Sequence, residues 1–166
     1  SGGVSVIALA LAKALGAEVI ATSSSDEKLA RMQALGATHC VNYRTTPDWG
    51  THVAQQFGGA HKVIEVGGVG TLQQSINALA PEGEIALIGV LSDGEPPHPR
   101  ALMMTGGSIR GIFVGSVAMA RELNAFVDAQ GVKPAIGASF GFDAVPAAYA
   151  HAWGQDSFGK TVIVRD

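Results

Sequence analysis

Short apolar stretches alternate along this chain with longer stretches in which apolar residues recur every three or four positions. Val4–Leu15 carries Ile7, Leu11 and Ala14 on one face and stops at Gly16, which predicts a helix. Glu18–Thr22 predicts a strand, and Ser24-x-x-Glu27 predicts a capping box opening a helix over Asp26–Leu35, ended by Gly36. The pattern continues with strand His39–Tyr43, helix Asp48–Phe57, strand Lys62–Val66 and helix Thr71–Leu79. Glu84–Val90 (EIALIGV) is apolar after its first residue, as expected of a strand covered on both faces of a parallel sheet. After a Pro-rich loop at Glu95–Pro99 come a short helix around Ala101–Met104 and strand Ser108–Val114. Helix Val117–Gln130, strand Ala135–Phe140, helix Ala144–Trp153 and strand Lys160–Val164 complete the series.

Repeated βα units of this size predict one α/β domain over the whole chain, a Rossmann-type doubly wound parallel sheet with helices on both faces. The chain opens with Ser-Gly-Gly-Val-Ser directly into a helix, where such a sheet feeds that helix from a central strand. The expectation is therefore a sheet lacking its first strand, and a stretch cut from a larger protein, inactive and weakly stable by itself.

Composition narrows the classes. With 47% hydrophobic and 15% charged residues the chain is globular, and a net charge of −3 offers no footprint for nucleic acid or an anionic membrane. No apolar run is long enough for a membrane span. The single Cys40 excludes an internal disulfide and a multi-cysteine metal site, and it fits a reducing, cytoplasmic setting as a small apolar residue. The five histidines, His39, His52, His61, His98 and His151, do not cluster at metal-ligand spacing. His52 and His151 read as boundary residues of amphipathic helices, and His98 as a candidate substrate neighbour in the Pro-rich loop. Glu65 reads as a buried carboxylate with a structural role.

The turn before the first helix carries the first chemical signal. Gly2 fits the second glycine of a G-x-G-x-x-G turn, whose backbone N–H groups approach a pyrophosphate at the positive end of a helix. Ser5 stands where the third glycine would be. A site for NAD places a carboxylate at the end of the second strand, to hold the ribose 2′-hydroxyl. Here that end reads Ala21-Thr22-Ser23-Ser24-Ser25, with Lys28 following, which suits a 2′-phosphate. The reading therefore favours NADP(H) over NAD(H), with the nearby Asp26 acting in the opposite sense.

On these residues the chain resembles the cofactor domain of the medium-chain dehydrogenases and reductases, the zinc alcohol dehydrogenase and quinone reductase superfamily. The resemblance runs through GGVSVIALALAKALGAEVIATSSSDEKLARMQALGATHCVNY, VIEVGGVGTLQQSINALAPEGEIALIGVL, GIFVGS and FGKTVIV. It implies that Gly2, Gly3 and Val4 form the pyrophosphate turn and that Ser23, Lys28 and Tyr43 surround the 2′-phosphate. It further implies that Gly67, Gly89, Val90, Leu91, Phe113, Val114 and Gly115 border the nicotinamide. Val117 departs from the family, whose members often carry Arg there.

The implied function is the cofactor half of an NADPH-dependent oxidoreductase that transfers hydride to or from a carbonyl, quinone or activated alkene, with a small-molecule substrate. No catalytic or metal-binding residue is assigned, because in the family those groups come from another, GroES-like domain. The alternatives are a non-catalytic NADPH-binding or sensing module and an S-adenosylmethionine-dependent methyltransferase. The methyltransferase would want an acidic residue in place of Ser23–Ser25. The apolar strand Ser108–Val114 is expected at a sheet edge, where the family commonly forms a homodimer.

Overall fold

A computed structural model describes residues 1–154 and 157–165; the remainder of the domain expected over 1–166 lies outside the described residues. The elements, in order, are α1 (Gly3–Ala14), β1 (Ile20–Ser23), α2 (Asp26–Ala34), β2 (His39–Asn42), α3 (Trp49–Phe57), β3 (Ala60–Glu65) and α4 (Val69–Asn77). They continue with β4 (Leu79–Leu87), α5 (Pro99–Thr105), β5 (Ser108–Gly111), α6 (Val117–Gln130), β6 (Ile136–Gly141), a 3-10 turn at Phe142–Ala144, α7 (Val145–Trp153) and β7 (Lys160–Val164). All strand pairs among them are parallel, so the predicted α/β class holds.

The chain forms two compact units, one from Ser1–Asn42 together with the chain from Val117 onward, the other Tyr43–Ser116. In the first unit β1 pairs with β2, from Ile20 opposite His39 to Ser23 opposite Asn42, and β6 pairs with β7. Val6 and Leu9 of α1 pack on Ala21, Met32, Ala37 and Phe158, joined by half-buried Val19, Cys40 and Ala135. The Arg31 guanidinium lies 3.8 Å above the Phe158 ring and covers that end of the core.

In the second unit the strand order is β3-β4-β5. Its core is Leu72, Ile76, Leu79 and Ile85, with Val63, Leu87, Leu102 and Ile109 packed against it. Ile85 is fully buried, as the apolar run predicts. Where a single sheet was expected, hydrogen bonding among the described residues makes three. Among the described residues β1 bonds to β2 alone and β3 to β4 alone, so no described strand fills the position expected to precede α1.

Several boundaries differ from the sequence reading for local reasons. The cap of α2 is Ser25, not Ser24: Ser25 is extended (φ −130°, ψ 124°) and its Oγ accepts the Lys28 N–H at 3.3 Å. No Ser24–Glu27 capping box forms, because the helix starts one residue later. Leu79, expected to end a helix, begins β4 instead, its register partner being Ala60. Val66 lies outside β3 because the N–H groups of the following glycines turn back to Glu65. Val90 lies outside β4, in the segment held by Glu65 and Gly67. Ile112–Val114 lie outside β5, where Val114 adopts a left-handed φ of 54° that no extended strand allows.

Candidate functional site

The first unit offers an uncapped helix N-terminus. Gly2 is the N-cap of α1, extended, with no side chain capping the first turn, and a Cβ at Gly2 would meet open space. The free N–H groups and the helix dipole make this end attractive to an anion. Lys160, the first residue of β7, lays its side chain across the same turn: a Cβ at Gly3 would lie 2.9 Å from its Nζ. The Val4 side chain is exposed. The turn is therefore positive by backbone and by side chain together. No sequence signal linked Lys160 to Gly3, since 157 residues separate them.

At the end of β1 the three serines divide their tasks. Ser23 is buried, and its Oγ accepts the Ser25 N–H at 3.4 Å. Ser25 caps α2, while Ser24 is half-buried. The Asp26 carboxylate accepts the Asn42 side-chain amide at 2.6 Å, a pairing the sequence did not reveal. Tyr43, one residue past β2, is exposed.

The second unit gathers its residues at the end of β3. Glu65 is 4% exposed, and its Oε1 accepts the N–H of Gly67 at 2.6 Å, the N–H of Gly68 at 3.1 Å and the Thr71 hydroxyl at 2.7 Å. Its Oε2 accepts the Ser75 hydroxyl. The Glu65 carbonyl accepts the N–H groups of Ile88 and Gly89, and the Gly67 carbonyl accepts those of Leu91 and Ser92. Ser92 Oγ also donates to the Gly67 carbonyl, at 3.0 Å, and accepts the Gly70 N–H. The two segments run so close that a Cβ on Gly89 would collide with the Val66 carbonyl, so glycine is required there. Gly68 has φ 108°, which glycine adopts without strain.

Thus Gly67 meets its neighbours through an N–H and a carbonyl already engaged within the chain. The side chains of Val90 and Leu91 stand outward, 91% and 86% exposed. Phe113 and Val114 are also exposed, followed by exposed Gly115, and the β-branched Val114 is strained by its positive φ. His98 is occupied locally: its Nδ1 accepts the Arg100 N–H and its N–H goes to Gln73. His52 packs edge-on against Phe57 and His151 tilts against Phe140, both half-buried, as expected of boundary residues. Among the described residues no group of three or more His, Cys, Asp or Glu could hold a metal ion. No described helix is long and apolar enough to cross a membrane.

Residues 3–129 match the zinc-binding dehydrogenase family, and the chain belongs to it. The zinc-type alcohol dehydrogenase-like protein of Schizosaccharomyces pombe is 44% identical over the full chain and 50% of that protein. Among solved structures, one of a Sinorhizobium meliloti 1021 protein described as an alcohol dehydrogenase is 43% identical, with a TM-score of 0.89 over 98% of this chain and 48% of that one. The structure of an NAD-dependent alcohol dehydrogenase is 35% identical, with a TM-score of 0.84 over the same shares. These likenesses place the chain in the Rossmann-type fold of that family. The chain spans about half the length of the curated relatives it matches.

Proposed function

We propose that this chain is the nicotinamide-dinucleotide-binding domain of an oxidoreductase, and that its ligand is NADP(H) in preference to NAD(H). The observation that carries the reading is the α1 N-terminus. An open glycine turn, an uncapped helix end and the Lys160 ammonium together fit a pyrophosphate. Gly2, Gly3 and Val4 would hold that group, and Ser23, Lys28 and Tyr43 would serve the 2′-phosphate of the adenosine. Ser23 acts there through its bond to Ser25 more than through a free hydroxyl, leaving Lys28 as the principal cation. The Asp26 carboxylate accepts the neutral Asn42 amide and keeps its charge, which acts against a 2′-phosphate.

Gly67, Gly89, Val90, Leu91, Phe113, Val114 and Gly115 would border the nicotinamide. Apolar side chains suit the face of that ring, and a turn held by Glu65 is already organised before anything binds. The nicotinamide, when bound, supplies the hydride chemistry. The chain's own residues bind and orient it and keep water from one side. The whole protein's reaction is then hydride transfer to or from a carbonyl, quinone or activated alkene of a small substrate.

The test is a titration of the intact protein with NADPH and NADH, followed by turnover assays with aldehyde, quinone and enone substrates. NADPH should bind more tightly and support turnover. Tighter NADH binding would reverse the cofactor assignment, and binding without turnover on any substrate would favour a sensing module.

A further inference from the structure

We infer that Glu65 is the positioning residue for the nicotinamide end of the proposed site, and this rests on the dinucleotide reading above. The residue is buried at the end of β3, and among the described residues no Lys, Arg or His pairs with it. A buried carboxylate without a cation costs more than an apolar side chain of the same size, unless donors surround it. Here four do, the N–H groups of Gly67 and Gly68 and the hydroxyls of Thr71 and Ser75.

Their arrangement does more than fill a gap. The carboxylate fixes the Gly67–Gly68 turn, while the carbonyl of the same residue fixes Ile88 and Gly89. The turn so fixed aims the Gly67 carbonyl at Leu91 and Ser92. Between those anchored pairs only Val90 is left over: among the described residues its N–H donates to no group. Glu65 therefore sets both the place of the exposed Val90 and Leu91 side chains and the direction of one unused backbone donor. That donor suits a carboxamide oxygen.

The test compares two ligands on the intact protein, NADPH and 2′-phospho-ADP-ribose, which lacks only the nicotinamide. NADPH should be the tighter for the unmodified protein. In Glu65→Met, which strands the four donors, NADPH affinity should fall at least about tenfold while that of 2′-phospho-ADP-ribose stays within about twofold. Glu65→Gln keeps an acceptor at Oε1 and should restore NADPH binding to within about threefold. Should Glu65→Met fail to fold, Thr71→Val removes one of the three donors on Oε1 and should weaken NADPH alone by about threefold.

Loss of both ligands in parallel, or unchanged NADPH affinity in every variant, would overturn the positioning role. So would equal affinity of the unmodified protein for the two ligands. Failure of the unmodified protein to bind either ligand, or NADH and ADP-ribose in their place, would instead sink the dinucleotide reading, and the inference with it.

Discussion

Lys28 and Lys160 both belong to the first unit, and they differ in what a substitution would reveal. Lys160 stands over Gly3 at the turn proposed for the pyrophosphate, a group both nicotinamide cofactors carry, so its loss should weaken both alike. Lys28 follows the serine run at the end of β1, the place proposed for the 2′-phosphate by which the two cofactors differ. Lys28→Ala should therefore weaken NADPH by about ten- to a hundredfold, the scale of one charge-assisted hydrogen bond, and leave NADH nearly unchanged. Fluorescence titration of both cofactors checks this, and parallel losses would assign Lys28 to capping and packing instead. Ser23→Asp is the poorer probe, because Ser23 is buried and a carboxylate there carries a desolvation cost of its own.

At the scale of the element, β5 has a hydrogen-bonded partner only on its β4 side among the described residues. The Ile112 N–H goes to Leu87, so by the alternation of a strand the Gly111 N–H faces the free edge. We propose that this edge pairs with its twin in a homodimer. Gly111→Pro would remove the outward donor, and a Cβ there meets nothing within 4 Å, so the fold should tolerate it. Sedimentation should show a dimer for the intact protein and a shift toward monomer for the variant; a monomeric parent would remove the proposal.

The same sheet offers a pH signature. Lys62 Nζ lies 2.8 Å from Glu84 Oε1 across β3 and β4. That hydrogen bond holds the Glu84 carboxyl below its ordinary value, against a smaller opposing effect of burial and with further help from the Lys62 and Arg110 charges. With the folded value depressed, the pair's contribution is present above the ordinary glutamate range and is lost as pH falls through the folded value. The pair is solvent-exposed, so its share of stability is small. Lys62→Ala should move the Glu84 titration upward, readable by NMR, and an unmoved titration would assign the shift to another neighbour.

For the whole molecule, the alternation of patterns determined the α/β class, since a strand period and a helix period impose different apolar spacings on the chain itself. The parallel pairing followed from the helices between strands, which leave no room for a hairpin. The glycine turn before α1, the buried run of β4 and the hidden Glu65 were legible in the same way, each carrying its signal within a few residues. Element ends were less so: Ser25 rather than Ser24 caps α2, and β5 stops before Val114, because single backbone conformations decide them. Tertiary structure alone decided which distant side chains meet. Lys160 reaches Gly3, Asn42 takes Asp26, and Ser92 joins Gly67 only once the helices, strands and turns that carry them are packed together. Such contacts depend on strand order and register, and no local spacing along the sequence encodes either.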